Sequence, residues 1–174
     1  MNNIAEANMD FYSIDKLMHE TRQLAAKYRK ATGSTLPVTG EISRFDVAKA
    51  LDLQLIEDIT LGYDAIGRGE REDLRILIKG RVIFEDSRSS PRIGQIKSDG
   101  RWDRVVLVLF DDDYLPVEMY EAGSDDIEAA INTKADSANK RRGVMSVVQF
   151  KIISRLVWSR EEGLSAEVWD NQLN

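Results

Sequence analysis

Apolar residues recur every three or four positions along two stretches near the start of this chain. Over residues 9–31 this spacing predicts a long helix, which Gly33 ends. Thr39 is a suitable N-cap for a second helix that extends to about Leu51, with Glu41 near its positive end. The N-terminal part of the chain is therefore expected to be helical.

The pattern becomes extended after the second predicted helix. Residues 62–66 form a short apolar segment between glycines and residues 74–84 form a longer one, and each predicts a strand. Residues 105–110 are a continuous apolar run, which is typical of a strand buried on both faces. Residues 115–122 predict the next strand, and the acidic turn 111–113 joins the two into a hairpin.

The last third of the chain returns to helical spacing. Residues 125–132 predict a short helix, and the polar, basic stretch 134–143 predicts a loop. Ser146 is a suitable N-cap for a helix that extends to about Trp158. A further short helix is predicted over residues 165–173.

The order of these elements predicts the fold class. Strands framed by helices indicate an α/β fold with a central mixed sheet of about four strands flanked by helices. The length of 174 residues suits one ordinary domain with a terminal arm. We therefore divide the sequence into an N-terminal helical arm, residues 1–37, and an α/β domain, residues 38–174.

Composition restricts the chemistry that the chain can support. It has no cysteine and one histidine, His19, so disulfides, a thiolate nucleophile and a multi-histidine metal site are excluded. A metal ion would be held mainly by carboxylates, which suits Mg²⁺, Mn²⁺ or Ca²⁺. No apolar run reaches the roughly 20 residues that span a bilayer, and the N-terminus lacks the features of a signal peptide. We therefore expect a cytoplasmic protein without a membrane partner.

The net charge of −6 opposes strong nonspecific binding to nucleic acid, but the charge is unevenly distributed. Residues 71–104 carry a net charge of +3 and residues 137–174 a net charge of +2, on either side of an acidic segment with −8. A local surface that faces phosphate groups is therefore compatible with the sequence. The candidate nucleic-acid-binding residues are Arg81, Arg88, Arg92, Lys97, Arg101, Lys140, Arg141 and Arg142. The alternative for these side chains is an ordinary solvated loop.

Two charged residues lie on adjacent predicted strands. Asp64 belongs to the first strand and Lys79 to the second. Because side chains alternate along a strand, Leu77 and Lys79 share one face while Ile76 and Ile78 share the other. Asp64 and Lys79 are therefore expected to meet on a common face beside the second helix. The plain alternative is a structural ion pair, or an aspartate that caps a turn.

The residues around this pair resemble a known family. The segments Gly40-Glu41-Ile42, Gly62-Tyr63-Asp64-Ala65-Ile66 and Ile78-Lys79-Gly80-Arg81, together with the segments at 105–122 and 141–158, are similar to a small bacterial branch of the PD-(D/E)XK superfamily. The resemblance covers about residues 38–158 and implies a restriction-endonuclease-like fold. In that superfamily, two acids hold divalent ions and a lysine orients or activates the attacking water.

Carried onto this sequence, the resemblance implies a role for each residue. Asp64 would be a metal ligand, the backbone carbonyl of Ile78 a second ligand, and Lys79 the catalytic lysine, with Mg²⁺ or Mn²⁺ as the cofactor. Glu41 is the best candidate for the second acid. The sequence departs from the family pattern at the (D/E) position, where Leu77 offers no ligand atom.

Two functions follow from the resemblance. The first is metal-dependent hydrolysis of DNA phosphodiesters, with an incomplete set of acids. The second is a non-catalytic module that keeps the nuclease fold and binds DNA or a protein in a defence or mobile-element system. The N-terminal helix would then serve as a homodimerisation arm or as an arm that binds another protein.

Overall fold

A computed structural model describes residues 3–97, 99–132 and 143–165, and residues 3–12 by their backbone alone. The helices are α1 (Asn3–Thr32), α2 (Thr39–Leu51), α3 (Ser124–Asn132) and α4 (Val147–Ile153). The strands are β1 (Gln54–Leu55), β2 (Ala65–Ile66), β3 (Arg75–Val82), β4 (Arg92–Ile93), β5 (Arg104–Phe110), β6 (Pro116–Gly123), β7 (Met145–Ser146), β8 (Arg155–Ser159) and β9 (Gly163–Leu164).

Seven strands form the main sheet, in the order β1-β2-β3-β5-β6-β8-β9. The pair β3 and β5 is parallel and the other neighbours are antiparallel. The α/β class with a mixed sheet is confirmed, but the prediction of about four strands is wrong. The four predicted strands correspond to β2, β3, β5 and β6. The outermost strands β1 and β9 have two residues each, which is too short to produce a periodic pattern.

The third additional strand, β8, replaces the second half of a predicted helix. Ser146 does cap α4, since its side chain accepts a hydrogen bond from Gln149 N at 3.1 Å and the Gln149 side chain accepts one from Ser146 N at 3.0 Å. The helix then ends at Ile153 instead of continuing to Trp158. Residues 155–159 pair with β6, so backbone hydrogen bonds across the sheet override the helical spacing of the apolar side chains.

The main sheet has an apolar core on each face. Side chains alternate along β3, so Ile76 and Ile78 belong to the core beneath α1 and α2. Leu77 packs against the opposite core, which also contains Ile127 of α3 and Phe150 of α4. Strand β5 contributes buried residues to both cores, as its continuous apolar run predicts.

The chain between the parallel strands β3 and β5 crosses the second face of the sheet. This crossover, residues 83–103, buries Ile93, Ile96 and Trp102 in the second core. Its strand β4 pairs with β7 in a separate two-stranded sheet. The Trp102 indole donates a hydrogen bond to the carbonyl of Lys97 at 2.8 Å, so this ring packs inside the domain.

Helix α1 packs on the first face of the domain. Ala25 and Ala26 are part of the core, and the Arg22 guanidinium forms two hydrogen bonds with the Asp46 carboxylate of α2, at 2.8 and 2.9 Å. Arg22 also donates to the carbonyl of Tyr114 at 2.7 Å. The predicted N-terminal arm therefore shares the core of the domain that follows it. Among the described residues, no helix combines the length and apolar composition needed to cross a membrane.

Candidate functional site

Asp64 lies just before β2, at the edge of strand β3. Its backbone N–H donates to the carbonyl of Ile76 at 2.8 Å, and its carbonyl accepts from Ile56 N at 3.0 Å. Beyond this point no strand of the described residues pairs with β3 on the β2 side, and the Asp64 carboxylate takes that place. Its Oδ2 atom accepts a hydrogen bond from Ile78 N at 2.7 Å. The carboxylate is thereby fixed in the plane of the sheet.

Ile78 directs its carbonyl oxygen to the same edge. In an extended strand, the N–H and C=O groups of one residue point to the same side. Because the Ile78 N–H points at Asp64, the Ile78 carbonyl also lies on the Asp64 side of β3. The sequence-predicted ligand atoms of Asp64 and Ile78 are therefore neighbours.

Lys79 lies close to the aspartate. The antiparallel register of β2 and β3 sets Asp64 opposite Leu77. The side chain of Lys79 lies on the same face of β3 as that of Leu77, because side chains alternate along a strand. The two charges interact, because burial lowers the pKa of the Lys79 ammonium and the Asp64 carboxylate opposes that lowering. Lys79 is half-buried and forms no hydrogen bond or ion pair within the part of the chain that the structure describes.

Arg44 of α2 lies between the two candidate acids. Its Nε atom is 3.4 Å from Asp64 Oδ1, and its Nη1 atom is 3.7 Å from Glu41 Oε2. A hydrogen bond of 2.7 Å from Nη2 to the carbonyl of Ile56 anchors the guanidinium. Glu41 itself is about 70 % exposed, and both carboxylates lie within 4 Å of the Arg44 guanidinium. Sequence reasoning assigned Arg44 no role, although its i,i+3 spacing from Glu41 was visible.

Burial sets the protonation behaviour of this pair. Burial raises the pKa of Asp64 and Glu41 raises it further, while the Ile78 N–H, Arg44 and Lys79 lower it; the net effect is a pKa above the ordinary value of 3.8. Burial likewise lowers the pKa of Lys79 below 10.5, and Arg81 lowers it further against the opposing effect of Asp64. Desolvation of the charged forms therefore outweighs their attraction.

The raised pKa of Asp64 predicts a pH-dependent effect of Asp64→Asn. A carboxyl with a higher pKa in the folded state binds its proton more tightly there, so stability is lost as pH rises from 3.8 through the folded pKa. Asparagine keeps an oxygen for the Ile78 N–H and has no such titration. We expect the free energy of unfolding of the variant, relative to wild type, to increase between pH 3.5 and pH 7. Urea unfolding at the two pH values measures this difference.

Asp103 provides a control of opposite sign. Hydrogen bonds from Arg75 lower the pKa of Asp103, so its ionised form stabilises the folded protein. Asp103→Asn is therefore expected to lose stability relative to wild type as pH rises through the acid range. The same sign for both variants would contradict the raised pKa of Asp64.

The residues present do not fit the divalent ion that the family resemblance implies. Mg²⁺ and Mn²⁺ need several oxygen ligands, and the edge of β3 offers the Asp64 carboxylate and the Ile78 carbonyl. Leu77 supplies no ligand atom, and the Arg44 guanidinium next to Asp64 Oδ1 repels a second cation. The described residues contain no group of three or more His, Cys, Asp or Glu side chains arranged to hold a metal. The Arg44 guanidinium instead supplies a positive charge next to the Asp64 carboxylate.

The candidate basic residues are only partly brought together. Arg81 lies two residues beyond Lys79, and its guanidinium donates to the carbonyl of Gly80 at 3.0 Å and to the carbonyl of Arg92. Strand β4 and the end of β3 are thus adjacent. Three of the candidate side chains on the crossover are exposed and have no ion-pair partner among the described residues; these are Arg88, Arg92 and Lys97.

The remaining basic candidates are Arg101, which has an acidic partner, and three residues that the structure does not describe. Arg101 is exposed, but its Nε atom is 3.3 Å from Asp99 Oδ2 and its Nη1 atom donates to the carbonyl of Thr60 at 3.4 Å. Its charge is therefore partly neutralised within the chain. Three candidates lie outside the described residues, namely Lys140, Arg141 and Arg142.

Comparison of this chain with known proteins adds no family assignment. No protein-family model matches it, and no curated protein matches it.

Proposed function

We propose that this protein is a DNA-binding module with a nuclease-like domain, in which an arginine has replaced the catalytic metal. The observation that carries this proposal is the position of Arg44, whose guanidinium lies 3.4 Å from Asp64 Oδ1 and 3.7 Å from Glu41 Oε2. A fixed internal cation between two acids neutralises the site. The apolar side chain of Leu77 opposite Asp64 is consistent with loss of the metal, because it supplies no ligand atom.

The proposed contact surface is the cationic end of β3 together with the crossover beside it. Lys79 and Arg81 share one face of β3, and Arg81 contacts the backbone of Arg92. We define the basic surface as Lys79, Arg81, Arg88, Arg92 and Lys97. Because the whole chain is acidic, DNA would bind through this local surface, and its phosphates would supply the partners that Lys79 lacks within the described chain.

The test is binding of a fluorescent DNA duplex at several salt concentrations. Lys79→Ala and Arg81→Ala are each expected to weaken binding about tenfold and to reduce the salt slope by about one, because each removes one phosphate contact. Lys30→Ala is the matched control, since Lys30 is exposed, forms an ion pair with Asp113 and lies outside the basic surface. Binding that is absent at low salt, or that the Lys79 and Arg81 variants leave unchanged, would refute the proposal.

Measuring DNA affinity at several pH values distinguishes the contribution of Lys79 from that of Arg81. The lowered pKa of Lys79 means that its positive charge is lost at a lower pH than that of an ordinary lysine. We expect wild-type affinity to fall on the alkaline side of neutrality and the Lys79→Ala variant to lack that fall. The Arg81→Ala variant keeps it.

A second candidate function is metal-dependent DNA cleavage. The observation that favours it is the shared edge of the Asp64 carboxylate and the Ile78 carbonyl, with Lys79 close by. This activity requires Arg44 to leave Asp64. Plasmid nicking with Mn²⁺ by wild type, abolished by Lys79→Ala, would support the enzyme. Cleavage that appears only after Leu77→Glu is combined with Arg44→Ala would support a binding module that descends from a nuclease.

A further inference from the structure

Helix α1 carries a second apolar stripe, which the rest of the described domain leaves partly exposed. Ile14, Leu17, Leu24 and Tyr28 are between 39 % and 60 % exposed. Thr21 lies between them, and its hydroxyl donates to the carbonyl of Leu17 at 2.7 Å, so its polar group is satisfied within the helix. We call these five residues the α1 seam.

The α1 seam has the spacing of a coiled coil. Its residues follow one another at intervals of three, four, three and four, which are the a and d positions of a heptad, with Ile14, Thr21 and Tyr28 at a. The face that packs on the domain is a different one and contains Arg22, Ala25 and Ala26. The helix therefore has one face for its own core and another that matches a partner helix.

The flanking charges select the kind of partner. Glu20 and Lys27 precede the a positions Thr21 and Tyr28, at the heptad position g. Both are exposed, and neither has a partner among the described residues. In an antiparallel pair, g positions of the two helices face each other, so Glu20 of each copy meets Lys27 of the other. The surface is therefore complementary to itself.

A parallel arrangement lacks these contacts. In a parallel pair, position g of one helix faces position e of the other. The e positions here include Met18 and Ala25, and Ala25 is fully buried in the core of its own domain. Glu20 and Lys27 would then find no opposite charge.

We propose that a second copy of this chain docks on the α1 seam in antiparallel orientation, with Thr21 of each copy opposite Leu24 of the other. The two-fold axis then crosses the helices between residues 22 and 23. This dimer is independent of the nucleic-acid proposal, because α1 packs on the first face of the sheet while Lys79 and Arg81 share the other.

Sedimentation equilibrium of the full chain tests the surface. Wild type is expected to be a dimer at micromolar concentration, and Leu17→Lys with Leu24→Lys is expected to weaken dimerisation by roughly 100-fold or more, because four charges would enter the seam. Ile152→Lys is the matched control, since Ile152 is 77 % exposed on α4, and it should remain dimeric. A monomeric wild type, or a dimer that the seam variant keeps, would overturn the proposal.

Charge exchange tests the orientation without touching the apolar residues. Glu20→Lys or Lys27→Glu alone replaces two attractive contacts by two repulsive ones, and should weaken dimerisation about tenfold. The double variant restores opposite charges and should recover wild-type affinity. If the single variants dimerise like wild type, the antiparallel arrangement is wrong.

Cross-linking gives an independent measurement, because the chain has no cysteine of its own. A mixture of Thr21→Cys and Leu24→Cys chains should form a disulfide between copies. Ile14→Cys should not link to itself, since the two copies of residue 14 would be about 25 Å apart along an antiparallel pair. Efficient linking of Ile14→Cys to itself would establish a parallel pair and refute the proposal.

Discussion

Replacing Asp46 by alanine is expected to lower the free energy of unfolding by about 3–5 kcal/mol. Asp46 and Arg22 are each about 9 % exposed, and their bidentate pair joins α2 to α1. Removal of the carboxylate leaves the guanidinium buried, and the Tyr114 carbonyl is then the remaining acceptor that the described residues provide. Urea unfolding followed by circular dichroism measures the loss.

The same two helices offer a control. Asp15 and Lys49 form a second ion pair between α1 and α2, with an Nζ to Oδ1 distance of 2.8 Å, but both side chains are largely exposed. Asp15→Ala should therefore cost no more than about 1 kcal/mol. A loss below about 1 kcal/mol for Asp46→Ala would mean that Arg22 reaches water when its partner is removed. Replacing both residues, Arg22→Met with Asp46→Leu, should recover most of the stability.

Gly80→Ala is expected to destabilise the protein by about 3 kcal/mol, at the upper end of the usual cost of overpacking. A methyl group on Gly80 would overlap Ser43 Oγ and would lie 2.9 Å from Ser43 Cβ and 3.2 Å from Phe110 Cε2. Rotation of the serine side chain cannot relieve the contact with its Cβ atom. Helix α2 would have to move away from β3. Urea unfolding measures the cost.

Because α2 carries Arg44, the same change should also disturb the candidate site. Gly40→Ala is the matched control, since a methyl group there meets no atom within 4 Å and the residue lies in the first turn of the same helix. It should be neutral or slightly stabilising. Ser43→Gly combined with Gly80→Ala should recover part of the loss. A fully stable Gly80→Ala variant would show that α2 does not pack as closely on β3 as described.

Local patterns predicted the elements that local interactions determine. The capped start of α4 follows from Ser146 and Gln149, which lie three residues apart in sequence. The two halves of the hairpin formed by β5 and β6 follow from their apolar runs. Strand β8 could not be predicted in this way, because it depends on pairing with β6, whose edge becomes available only in the folded sheet.

The candidate site also has some features that local patterns predict and others that depend on long-range packing. Alternation along β3 predicted that Asp64 and Lys79 share a face, because that relation depends on one strand and its neighbour. It did not predict that α2 packs on the opposite face of β3, with Ile76 and Ile78. The position of Arg44 depends on how α2 packs on β3, where Ser43 lies in close contact with Gly80. No spacing within the helix encodes that contact.

The open edge of β3 has a consequence for self-association. Strand β2 pairs with only the first part of β3, and side chains then take over, with Asp64 bound to the amide of Ile78 and Arg81 to the carbonyl of Gly80. Two polar groups of this edge are therefore already bound, which weakens the template that it offers for strand addition from another molecule. Concentrated solutions of this protein should therefore resist fibril growth along this side of the sheet.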